Sequence, residues 1–145
     1  MRFLLIGLTF FYGSVYADTI DNYMNIVNNI PQMEIKADPQ AQAWASSARH
    51  VLTITCESIA ETITQANETA TSQGKPMYCL PLGVQLNSIV LNELIQKTYK
   101  ELSSQQSDKG KMTVSQIAWL GINKQYPCQS TSGSLNEIVH VAAIN

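Results

Sequence analysis

Apolar residues recur at three- and four-residue intervals along most of this chain, and no alternation of period two persists. That spacing puts one apolar stripe on a helix, so an all-α fold is expected. Ile20, Tyr23, Met24, Val27 and Ile30 form the first stripe, which Pro31 should end. Asp38-Pro39 then opens the longest element, with Asp as N-cap and Pro at the first helical position. Ala41, Trp44, Ala48, Val51, Leu52, Thr55, Ile59, Ile63, Ala66 and Ala70 hold the period to about Ser72, before Gly74 and Pro76. Leu86, Ile89, Val90, Leu94 and Leu102 mark a third helix, with Glu93 and Lys97 as an i, i+4 pair on its polar side. Thr113 and Gln116 have capping-box spacing ahead of Val114, Ile117, Leu120 and Gly121. Ser134 and Glu137 repeat that spacing ahead of Leu135, Ile138, Val139 and Ala142. The pattern predicts a compact single-domain bundle of about five helices.

One stretch breaks the pattern. Ser103-Ser104-Gln105-Gln106-Ser107-Asp108-Lys109-Gly110-Lys111 has no apolar residue in nine. It has nothing to give a core, so it is read as a loop or a projecting helix end between two well-signalled helices.

Composition changes the picture mainly at the N-terminus. Arg2, an apolar run over 3–12 and Val15-Tyr16-Ala17 read as a secretory signal over 1–17, cleaved before Asp18. The apolar run is shorter than the roughly 20 residues a spanning helix needs. No later segment is apolar enough to cross a bilayer, so a protein exported to the periplasm is expected, with 18–145 as one domain. Loss of Arg2 takes the net charge from −2 to near −3. With no basic run, a nucleic-acid partner is not expected, because phosphate binding needs a positive footprint. Mild acidity is compatible with a basic protein partner.

Three cysteines follow the leader: Cys56, Cys79 and Cys128. Export takes them to a compartment where thiols are oxidised. Cys79 and Cys128 both sit in Pro-containing turns that bound helices, in Tyr78-Cys79-Leu80-Pro81 and Tyr126-Pro127-Cys128, and are expected to pair. Cys56 lies mid-helix among apolar and Thr neighbours and is read as a buried, free thiol.

Candidate chemistry is thin. Cys56 with His50 or His140 would be a nucleophile and base. His50, six residues earlier on the same helix, points elsewhere, and no strained turn or Gly-rich oxyanion loop accompanies the pair. The two histidines and three cysteines share no metal-ligand spacing. Glu57 and Glu61 are one turn apart and read as a solvated pair. Asn67-Glu68-Thr69 matches a glycosylation acceptor, a pattern common by chance. The expectation is a binding protein without a catalytic, cofactor or metal site.

The residues that carry a likeness are Ser47-Ala48-Arg49-His50-Val51-Leu52, the Tyr78-Cys79-Leu80-Pro81 turn, Gly83-Val84, the helix from Asn87 to Tyr99, and Tyr126-Pro127-Cys128. Together with the leader, they make the chain resemble the immunity proteins of type VI secretion amidase effectors, the Tai or Rap family, over about residues 38–128. The likeness is greatest to the branch that neutralises the fourth family of those effectors. It implies a periplasmic, helical, disulfide-bonded and often dimeric inhibitor. Its target would be a papain-like, NlpC/P60-like peptidase that cuts peptidoglycan stem peptides. Under that implication the polar stretch, from Ser103 to Lys109 above all, is the candidate plug for the enzyme's cleft. Ala41, Trp44, Ala45 and Ala48, one large aromatic among small residues, are the candidate dimer surface. The reading set against it is a periplasmic helical chaperone or adaptor, which would protect several unfolded clients rather than bind one folded enzyme.

Overall fold

A computed structural model describes residues 19–102 and 108–128. The segment read as a signal over 1–17, most of the polar stretch, and the segment read as a last capping box and helix lie outside the described residues. Within them the fold is all-α: α1 (Ile20–Glu34), α2 (Pro39–Ser72), α3 (Ser88–Glu101) and α4 (Val114–Gln125), with a single 3-10 turn over Lys109–Lys111. The helices pack sequentially, α1 on α2, α2 on α3 and α3 on α4. The segment counted as a fifth helix is the one beyond residue 128.

The caps are where the residue types require them. Thr19, Asp38 and Asn87 each lend a side-chain oxygen to a backbone N–H of the first turn of α1, α2 and α3. Thr113 and Gln116 close the full reciprocal capping box of α4. α2 ends in a Schellman arrangement: Lys75 N–H reaches Ala70 O (3.0 Å) and Gly74 N–H reaches Thr71 O (2.9 Å), with Gly74 at φ +76°.

Pro31 does not end α1, which runs one further turn to Glu34. Proline removes only its own N–H, so later residues still bond backwards, and Ile35 N–H reaches Pro31 O at 3.4 Å. Val27, whose carbonyl loses its donor, lines a groove open to water.

The stripe of α1 is the expected one, but two others are rotated. On α2 the core line is Ala41, Ala45, Leu52, Cys56, Ala60 and Ile63, while Trp44 and Val51 are exposed. On α3 it is Leu91, Leu94, Ile95 and Thr98, while Ile89 is exposed. Alanines at the buried positions of α2 let its neighbours come close. Gly121 does the same between α3 and α4: a Cβ there would stand 2.4 Å from Thr98 Oγ1.

Cys79 and Cys128 form a disulfide across 49 residues of chain, with Cα atoms 4.9 Å apart. A loop of that length is worth about 4 kcal/mol in a chain-entropy treatment. Beside it, Cys79 N–H donates to Tyr126 O at 2.9 Å. The preceding residues hang on Asn67, whose Oδ1 accepts from Met77 N–H (2.8 Å) and Tyr78 N–H (3.1 Å) and whose Nδ2 donates to Tyr78 O (3.1 Å). The acceptor-type motif at Asn67 is thus a structural clamp, with its amide nitrogen occupied.

Candidate functional site

Three places on the fold concern function: the base of the polar loop, the exposed side of α2, and a groove between α1, α2 and α3.

The described chain ends after α3 at Leu102 and resumes at Asp108, on either side of most of the polar stretch. Its return is fastened. Lys109 Nζ lies 4.7 Å over the Tyr99 ring and donates to Leu102 O at 3.4 Å. Tyr99 O–H donates to Asp21 Oδ1 at 2.8 Å, and that bond holds the phenol above its usual pKa. Ile20 N–H donates to Met112 O at 2.8 Å, and Gly110 sits so tightly on Asp21 that a Cβ would collide with its carboxylate. Of the candidate plug residues, Ser103, Ser104, Gln105, Gln106 and Ser107 lie outside the described residues. Asp108 is exposed and paired with Lys111 at 3.1 Å. Lys109 is half-buried and folded back on Tyr99.

The candidate dimer residues divide. Ala41 and Ala45 are buried within the chain. Ala48 is half-buried, and Trp44 is 41% exposed. The apolar surface on that side of α2 continues instead through Val51 (55% exposed) and Ile54 (59%). These positions are seven and three residues apart and so share a face.

The groove, about 410 Å³, is floored by Ile30 and Leu52 and edged by Val27 and Ile89. Arg49 and Glu93 stand on its rim, and Asn92 and Gln96 line its α3 wall. Arg49 is held by Glu34 of α1 through Nε (3.1 Å) and a second, shorter contact from its terminal nitrogen. Asn92 joins the groove to the core. Its Oδ1 accepts from Gln96 Nε2 (3.1 Å) and from Tyr23 O–H (2.6 Å). Tyr23 Oη also lies 3.1 Å from Cys56 Sγ, a contact in which either atom can donate.

Burial is the main cause that raises the Cys56 pKa; Tyr23 opposes it by hydrogen bonding, and Glu57 adds to it. Burial, then the bond to Cys56, raises the Tyr23 pKa. Cys56 is therefore a neutral, hydrogen-bonded thiol, an environment opposite to that of a thiolate nucleophile. His50, on an exposed face, faces Ser46 O at 3.3 Å, away from Cys56. Among the described residues no group of three or more His, Cys, Asp or Glu is placed to hold a metal ion.

The Asn67 clamp, the Tyr23–Cys56–Asn92 chain and the groove are not evident from residue patterns. Each joins residues far apart in sequence, and the one local sign is a polar Asn92 beside the buried line of α3. Comparison with protein-family models, curated proteins and solved structures finds no match to this chain.

Proposed function

We propose that the chain is an exported immunity-type inhibitor that binds a folded peptidoglycan amidase and keeps stem peptides from its cleft, performing no chemistry of its own. The observation that carries the reading is the fastening of the polar loop. Lys109, Tyr99, Asp21 and the Ile20–Met112 backbone bond tie its return to α1 and α3. A segment pinned at its base loses less conformational entropy when a partner immobilises it. The disulfide adds rigidity to the frame from which the loop departs. The family likeness supplies the target class, and the leader supplies the periplasm as the place of action. The same reading includes a homodimer, with Trp44, Val51 and Ile54 as the meeting surface in place of Ala41 and Ala45.

The test replaces Ser104, Gln105 and Gln106 together with Ala. The dissociation constant for its cognate NlpC/P60-like amidase should rise at least tenfold, about 1.4 kcal/mol, with an unchanged melting temperature. A triple variant that inhibits as well as the parent removes the loop from the contact. Absence of binding by the parent removes the immunity reading itself.

A further inference from the structure

We infer that the groove between α1, α2 and α3, with its continuation along α2 towards Glu68, is a docking surface for a basic, amphipathic segment of a protein partner. The groove runs past Ser88 into a second hollow of about 470 Å³ between α2 and the start of α3. Ser88 lines both, so the two hollows adjoin along the α2–α3 seam, and the trough is the pair of them. From Arg49 to Glu68 it follows α2 for about 28 Å at 1.5 Å per residue.

Its floor is apolar: Ile30 and Leu52 at one end, Ala60 and Leu86 at the other, and Ile89 between them 69% exposed. Its rim is acidic. Glu57, Glu61, Glu68 and Glu93 all line it, and among the described residues none of the four is ion-paired. Among the described residues Glu57 accepts from Ser88 Oγ at 3.5 Å and Glu61 from Gln65 Nε2 at 3.3 Å. Of the nearby cations, Arg49 is bound by Glu34 and Lys97 donates to Gln125 Oε1 at 3.0 Å, while Lys97 and Lys100 line a separate hollow on the far side of Glu93.

Apolar surface flanked by uncompensated carboxylates is complementary to a segment with Leu or Ile on one face and Lys or Arg beside it. The apolar face supplies burial, and the cations supply orientation and a faster encounter. The amides of Asn92 and Gln96 are within the trough to meet polar groups of the incoming chain. The identity of the partner as the amidase rests on the proposed function; the trough and its preference for cations do not.

Two arms test it on the full mature chain. In the first, the ¹⁵N-labelled protein is titrated at low salt with a 14-residue Leu/Lys amphipathic peptide and with its Leu/Glu counterpart. The Leu/Lys peptide should shift amides around Leu52, Ser88, Ile89 and Asn92, bind at least tenfold more tightly than Leu/Glu, and weaken as salt rises. Glu57→Lys with Glu93→Lys should lose that tenfold while melting unchanged, because both side chains are exposed. Ile89→Ser, which keeps every charge, should weaken the peptide as well. Equal binding of the two peptides, or shifts elsewhere, overturns the inference. So does the absence of any shift, which is the result expected if a second copy or residues 129–145 already fill the trough. In the second arm, the same double variant is assayed against the cognate amidase of the proposed function. Wild-type inhibition by the variant overturns the trough as the amidase contact and leaves the immunity reading standing. No inhibition by the parent defeats the immunity reading, while the peptide arm still judges the trough.

Discussion

Replacing Asn67 with Ala should destabilise the protein more than any pattern of apolar residues suggests. The side chain makes three hydrogen bonds of 2.8–3.1 Å to the backbone of Met77 and Tyr78, which then leads into the Cys79 staple. Each bond contributes about 1 kcal/mol net. The site is part-buried, so water recovers some of the loss, and the expected cost is about 2–3 kcal/mol. For a domain of this size that lowers the melting temperature by on the order of 10 °C. Asn67→Asp separates the terms. It keeps acceptors for the two N–H groups, loses the donor to Tyr78 O and sets a carboxylate against that carbonyl, so it should cost about 1 kcal/mol. Thermal unfolding with the disulfide intact gives the magnitudes. Native-state hydrogen exchange gives the location, since the Met77 and Tyr78 amides should lose protection in the Ala variant and retain it in the Asp variant. A melting point within 2 °C of the parent, or unchanged exchange at those two amides, would refute the clamp.

Mature protein at micromolar concentration should scatter light as a dimer, and Trp44→Ser with Ile54→Ser should return it to a single-chain mass; a parent of single-chain mass removes the dimer and leaves inhibition untouched. Stability should also fall in alkali. Tyr23 and Cys56 both have raised folded-state pKa values, so the folded state keeps protons that the unfolded chain releases. Their contribution is intact below about pH 8.5 and is lost as pH rises, by up to about 1.4 kcal/mol per pH unit for each group once its ordinary value of about 8.5 or 10 is passed. Ultraviolet titration should find Tyr23 ionising only together with unfolding, and a full complement of tyrosinates in a still-folded protein at pH 11 would contradict this.

What was readable in advance is local. A cap needs one polar side chain within three residues of its target, so Asp38-Pro39 and the Thr113–Gln116 box announced α2 and α4 at their true starts. Turn chemistry is local too, and the two Pro-flanked cysteines are the bonded pair. Which shoulder of a helix faces inwards is a different kind of fact. On α2, Ala, Thr and Ile occur all round, so Ala45 and Cys56 at the centre of the core are no better marked than Trp44 and Val51 outside it. On α3, Ile89, Val90 and Leu91 are consecutive, and periodicity cannot choose among three neighbours 100° apart. The choice fell to packing, where Gly121 admits Leu94 and Thr98 to α4 and so turns Ile89 towards the trough. The same holds for Asn67, Asn92 and Cys56. Their roles depend on backbone and hydroxyl groups 10 to 69 residues away, which only the folded chain brings within hydrogen-bonding distance.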